Sequence, residues 1–106
     1  RLSKSTTYSS DGNVTGYSVS EYNEDDLLIK INRYDNNDKL CEYYTYEYND
    51  KGQAIKYSAF DSNNQLIRYT LFEFDDKGLI QREEYYDGKD SLENYYIFTY
   101  DYKVTL

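Results

Sequence analysis

The chain has 106 residues, 20 acidic against 12 basic side chains for a net charge of −8, no His, one Cys, no Trp and no Met, but 16 Tyr and 4 Phe. That charge disfavours nucleic acid and anionic membrane surfaces, because both are held by Lys/Arg neutralisation. The lack of His removes Ser-His-Asp and Cys-His constellations and His-containing zinc sites, and no apolar run approaches the ~18 residues of a transmembrane helix.

An aromatic residue followed six positions on by an aliphatic one occurs at Tyr8/Val14, Tyr34/Leu40, Phe60/Leu66 and Tyr86/Leu92, and in a second series at Tyr22/Leu28, Tyr48/Ala54, Phe74/Ile80 and Tyr100/Leu106. Each series advances by 26 residues, so four units, at about 1–26, 27–52, 53–78 and 79–104, account for almost the whole sequence as one repeat domain. With no Met in the chain, Arg1 is read as internal to a longer product.

The residue after each aromatic anchor is Ser, Asn or Asp, types that open a type I turn. Four places after the anchor stand Gly12, Asp26, Asp38, Gly52, Asn64, Gly78 and Asp90, which tolerate a left-handed backbone; Val104 breaks the pattern. A type I turn closed by a left-handed residue is a three-residue hairpin loop with a bulge, and it sets the anchor opposite the aliphatic residue. Seven such turns predict strands near 2–8, 14–22, 28–34, 40–48, 54–60, 66–74, 80–86 and 92–102. The fold class is all-β, an antiparallel meander of about eight strands in an open, twisted sheet. A slip of two residues per unit makes a small closed barrel the alternative.

Alternation along strands predicts that even and odd positions face opposite ways throughout. The even face carries the anchors with Lys30, Glu42, Lys56, Arg68 and Arg82 between them and reads as wet. The odd face carries Tyr17, Val19, Ile29, Ile31, Cys41, Tyr43, Ile55, Tyr57, Ala59, Ile67, Tyr69, Leu71, Tyr95 and Ile97 and reads as the buried one. On this register Tyr57, Tyr69 and Tyr85 form a ladder of rings on adjacent strands. Tyr43, Tyr57, Tyr69, Tyr85 and Tyr95 are thereby the candidate face for a glycan or protein partner, since rings fixed on a pleated surface stack on sugar faces or pack against a second layer.

The remaining chemistry is sparse, and neither a catalytic residue nor a cofactor is expected. Cys41 falls on the odd face and reads as a buried, inert thiol. Glu83, Glu84 and Glu93 lie on neighbouring strands, yet proximity of carboxylates is expected by chance among twenty acids. The acidic turns at 23–26, 49–50 and 75–76 offer oxygen ligands, but calcium needs about six to eight and one turn supplies about two; turn geometry alone accounts for them, and no metal is assigned.

The segments Tyr46-Glu47-Tyr48-Asn49-Asp50-Lys51-Gly52-Gln53-Ala54 and Phe72-Glu73-Phe74-Asp75-Asp76-Lys77-Gly78-Leu79-Ile80 resemble the core of YD (RHS-type) repeats, aromatic-x-aromatic-Asp-x-x-Gly-x-aliphatic. The chain is also similar to tyrosine-rich repeats of exported lipoproteins of gut Bacteroidetes. The resemblance implies a non-enzymatic shell, spacer or binding scaffold, exported to the periplasm or cell surface. Separately, the unpaired backbone of an open sheet's first and last strands, or its apolar face, offers a route to self-association or a protein partner. The other half-units carry Asp or Asn in place of Gly, and the 26-residue alternation is longer than the usual YD unit.

Overall fold

A computed structural model describes residues 1–100. Its eight strands are β1 (Leu2–Tyr8), β2 (Val14–Tyr22), β3 (Leu28–Asp35), β4 (Leu40–Tyr48), β5 (Ala54–Asp61), β6 (Leu66–Phe74), β7 (Ile80–Asp87) and β8 (Leu92–Ile97). They form one antiparallel sheet in sequence order, and β1 does not pair with β8, so the sheet is open. The expected pairing of Tyr100 with Leu106 and the expected failure of the turn at Val104 lie outside the described residues.

Each turn is built as its residue types require. In the second, Asp26 N–H donates to the Asn23 carbonyl at 3.1 Å and Asn23 N–H to the Leu27 carbonyl at 2.9 Å, while the Asn23 side-chain oxygen accepts from Asp25 N–H and Leu27 N–H at 2.9 and 3.0 Å. The same two side-chain bonds recur at Asp35, Asn49, Asp61, Asp75 and Asp87. In the first turn Ser9 holds that place, and Asp11 supplies the acceptor for Asn13 N–H. Positive φ occurs at Gly12, Gly52 and Gly78 and at Asp26, Asp38, Asn64 and Asp90, the last four between 60 and 64°, as the turn register demands.

The face assignment is where the sequence reading fails. Beyond each turn the register slips once more: Tyr8 pairs with Val14 but Thr7 with Gly16, which leaves Thr15 without an opposite number. The same slip leaves out Ile29, Cys41, Ile55, Ile67, Gln81 and Glu93. Each is a β-bulge residue, and each bulge reverses the parity of the strand beyond it. Even and odd positions therefore exchange faces from strand to strand. Ile55, Ile67 and Cys41 are exposed bulge residues rather than part of a buried stripe.

One face carries Tyr17 and Tyr34, Tyr43 and Phe60, and Tyr69 and Tyr86 as directly opposed pairs. It is the striped face. The other carries Tyr46 opposite Tyr57, Tyr44 opposite Ala59, Tyr48 opposite Ala54 and Phe74 opposite Ile80; it is the aromatic face. Neither is covered by a second layer. Ala59 is the one buried apolar residue among those described, joined by Asn32, Ser58 and Thr70, so small residues at the middle of the strands lie beneath neighbouring rings. The radius of gyration is 17.3 Å and the extents are 53 × 36 × 32 Å, against about 13 Å for a compact domain of this length.

Because the left-handed positions are fixed by the turn, they set a substitution pattern. Asp26→Val, β-branched at a φ of 60°, is expected to cost about 1–2 kcal/mol, whereas Asp26→Gly stays within about 0.5 kcal/mol because its exposed ion pair with Arg1 is worth little. Urea midpoints of the two variants check this, and equal midpoints would contradict the turn assignment.

Candidate functional site

On the striped face four side-chain rows repeat every unit. Tyr17, Tyr43 and Tyr69 each stack on the anchor of the next strand: Tyr34 at a ring-centroid distance of 5.0 Å, Phe60 at 4.8 Å and Tyr86 at 4.7 Å, with interplanar angles of 17, 11 and 5°. Over the opposite side of the same rings lies a cation from the preceding strand, Lys4, Lys30 or Lys56, with Nζ at 4.3, 4.7 and 4.8 Å from the centroid. Arg82 takes the same place over Tyr95 at 4.6 Å. Three cation–ring–ring sandwiches result, held by the quadrupole of the phenol and by offset stacking, while in the fourth unit Tyr95 has its cation but no stacked ring among the described residues.

The phenol hydroxyls are fixed as regularly. Tyr17 Oη donates to Asp38 Oδ1 at 2.7 Å, Tyr43 Oη to Asn64 Oδ1 at 2.9 Å and Tyr69 Oη to Asp90 Oδ1 at 2.8 Å. In every case the acceptor is the left-handed residue of the turn 21 positions on, so one side chain closes the turn and orders the ring. On the aromatic face Tyr48 and Tyr100 donate to the backbone carbonyls of Leu28 and Ile80, both at 2.6 Å. Phe74, at the equivalent position, has no hydroxyl to give.

The five candidate residues do not form one platform. Tyr43, Tyr69 and Tyr95 belong to the striped face, while Tyr57 and Tyr85 belong to the aromatic face, on which each flanks Thr70. The expected ladder of Tyr57, Tyr69 and Tyr85 is therefore absent: Tyr69 stands opposite Ser58 and Tyr86. The rings of Tyr43 and Tyr69 are occupied on both sides and present only edges. The wet face is corrected likewise, since Lys30, Lys56 and Arg82 cap rings on one face while Glu42 and Arg68 lie on the other.

What the sequence reading missed is the aromatic face of β4 to β8. Tyr57 lies between Tyr44 at 5.7 Å and Tyr46 at 5.2 Å, and Tyr85, Tyr96 and Phe98 continue the patch, with Tyr85–Tyr96 edge-on at 5.7 Å and Tyr96–Phe98 at 6.5 Å. Ser18 and Ser20 hold the corresponding places in the first unit, so the patch belongs to the later units only. Arg33, hydrogen-bonded to Glu42 and to Tyr44 Oη, borders it. The signal that would have revealed it is the run Tyr43-Tyr44-Thr45-Tyr46 read with the bulge at Cys41.

The carboxylates do not converge. Glu83 and Glu84 are adjacent on β7 and face opposite ways; Glu83 accepts from Tyr85 Oη at 3.3 Å and Glu84 pairs with Arg82 at 2.9 Å. Glu93 is the exposed bulge residue of β8. In the turns proposed as oxygen donors, Asn23, Asn49 and Asp75 already accept backbone N–H groups, and no group of three or more Cys, Asp or Glu side chains is set to hold a metal ion among the described residues. Asp87 is held below the usual carboxylate range by the backbone N–H groups of Ser91 and Lys89. No helix among the described residues is long and apolar enough to cross a membrane. No protein-family model matches the chain, and no curated protein matches it.

The Tyr–Asp bonds carry a pH signature. Accepting bonds at Asp38 and Asp90 push the phenols of Tyr17 and Tyr69 from 10.0 up to about 12. A pKa raised on folding means the contribution to stability is complete below the unfolded value of 10.0 and is lost as pH rises through about 12. Near-ultraviolet titration is expected to place Tyr17 and Tyr69 among the late-ionising tyrosines, and Asp38→Asn/Asp90→Asn is expected to move these two back toward 10.0. An unchanged titration curve would contradict the bonds.

Proposed function

We propose that this chain is a non-enzymatic structural or interaction module of an exported bacterial protein, related to YD-type repeats, whose partner surface is the aromatic face of β4 to β8. The observation that carries the reading is the contrast between the two faces. The striped face repeats the same sandwich three times and engages both sides of Tyr17, Tyr43 and Tyr69, so these residues are accounted for by the sheet. The aromatic face departs from the repeat, and its outer members Tyr96 and Phe98 are 51% and 38% exposed. Clustered rings on a surface without a second layer match the aromatic enrichment of protein interfaces.

Repetition itself weighs against catalysis, which needs unlike groups converging on one point with fixed geometry. The carbohydrate-binding alternative draws support from the same patch, because Tyr96 and Phe98 leave ring surface open to a sugar. It draws none from Tyr43 and Tyr69, which are sandwiched.

A photoreactive residue at position 96 or 98 is expected to cross-link a protein in exporting cells, while one at Tyr95, on the opposite face, does not. Binding on a glycan array that is lost in Tyr57→Ala and Tyr96→Ala would establish the carbohydrate reading instead. Hydrolysis of glycoside, ester, peptide or phosphate substrates, abolished by Glu83→Gln or Glu93→Gln in folded protein, would overturn both.

A further inference from the structure

The third unit breaks the repeat at three positions, and all three meet at one cleft. Where β3 and β7 are entered through Leu27-Leu28 and Leu79-Ile80, β5 is entered through Gln53-Ala54. Tyr48 and Tyr100 each donate a hydroxyl to the carbonyl 20 residues back, Leu28 and Ile80, at 2.6 Å. At the same offset from Ala54 stands Phe74, which has no hydroxyl. An aliphatic side chain and a phenol hydroxyl are thus missing together, and a carboxamide replaces an apolar turn residue. Strand pairing between β5 and β6 ends at Lys56 opposite Leu71, so Ala54 and Ile55 are not paired with Phe72, Glu73 and Phe74. Between them opens a cleft of about 570 Å³ lined by Asn49, Gln53, Ile55, Phe72, Phe74 and Gln81. Asn49 Nδ2 donates to Gln53 Oε1 at 2.8 Å, and Gln53 Nε2 lies 3.6 Å from where a side chain on Gly78 would start, so Gln53 reaches from the β4–β5 turn to the β6–β7 turn.

We propose that this cleft binds one sugar residue of a neutral glycan, with a hydroxyl donating to the Ala54 carbonyl in the place that a phenol takes at Leu28 and Ile80. A sugar ring presents apolar C–H groups on its faces and, at its rim, hydroxyls that both donate and accept. The rings of Phe72 and Phe74 suit the first, and the carboxamides of Gln53 and Gln81, each with an acceptor oxygen and two N–H donors, suit the second. Asp50, Glu73 and Asp75 stand on the walls against Lys51 alone, in a chain of net charge −8, so phosphate, sulfate and carboxylate ligands are disfavoured. The cleft lies between β5 and β6, which have paired strands on both sides. It is distinct from the rings of Tyr57, Tyr85 and Tyr96 and stands apart from what that patch binds.

The flanking units supply the variants that test this. Gln53→Leu/Ala54→Leu/Phe74→Tyr protein carries at each position a residue that a neighbouring unit already holds there, so it fills the cleft and returns the hydroxyl without foreign chemistry. Neutral oligosaccharides of glucose, galactose, mannose, xylose and N-acetylglucosamine, titrated calorimetrically, are expected to include a saturable ligand of the unaltered chain. That ligand is expected to bind the triple variant at least about tenfold more weakly, the effect of losing one hydrogen bond to the carbonyl. Phe74→Tyr alone is expected to weaken binding while its urea midpoint stays at or above that of the unaltered chain, which separates loss of the site from loss of the fold. Absence of saturable binding across these sugars, equal affinity of Phe74→Tyr and unaltered protein, or binding that Tyr96→Ala abolishes and the triple variant keeps would each overturn the proposal.

Discussion

A sheet with no second layer has to bury its side chains against itself, and everything else in this molecule follows from how it does so. Rings laid sideways onto the neighbouring strand are the means. A ring standing upright on a single sheet would stay wet on both sides, whereas Tyr69 leaning between Lys56 and Tyr86 has both sides covered. Stacked aromatic pairs contribute about 0.5–1.5 kcal/mol beyond area burial, and cations over rings about 0.5–1 kcal/mol at exposed sites. Those terms recur three times along the sheet, and with Ala59 as the one buried apolar residue described they stand in for the core that a two-layer domain would have.

Tyrosine is suited to this task in a way that phenylalanine is not. The ring packs laterally while the hydroxyl reaches past the sheet edge to a turn 21 residues on, as Tyr17, Tyr43 and Tyr69 do. The same Asp or Asn that accepts this bond holds the left-handed position of its turn. Replacing Asp38 or Asp90 with Gly would relieve the backbone and remove the acceptor together, which gives a physical reason for a side chain at a site where glycine is usual. Where no such tyrosine reaches the turn, the position is held by glycine at Gly12, Gly52 and Gly78, while Asp26 keeps its side chain with Arg1 as its partner.

The turns were legible in the sequence because their chemistry is local: an Asx residue, a left-handed residue and an aromatic-to-aliphatic spacing of six fix strand ends to within a residue or so. The faces were not legible, because a bulge leaves no mark in residue type. Thr15, Ile29, Cys41, Gln81 and Glu93 occupy one structural position and share no property. An even spacing between anchor and aliphatic residue suggests unbroken alternation, and one unpaired residue per strand pair undoes it. Rows at 26-residue spacing survive the error, since Lys4, Lys30, Lys56 and Arg82 share a face however the bulges fall. The candidate tyrosines were chosen across strands by parity, so Tyr57 and Tyr85 were placed with Tyr69 and in fact lie behind it.

Stability in an array of this kind is close to a sum of unit and nearest-neighbour terms, and the two faces contribute to it differently. The striped face supplies the same neighbour term at β2–β3, β4–β5 and β6–β7, which keeps the register constant. The aromatic face changes along the sheet, from Ser18 and Ser20 on β2 to Tyr44 and Tyr46 on β4 and Tyr96 and Phe98 near its end. The repeated anchors Tyr22, Tyr48 and Phe74 hold the strand ends on that face, and the positions between them vary. A module whose register is held by one full face and by the strand ends of the other can diversify what lies between. That division accounts for the coexistence of strict periodicity and a unique patch within 100 described residues.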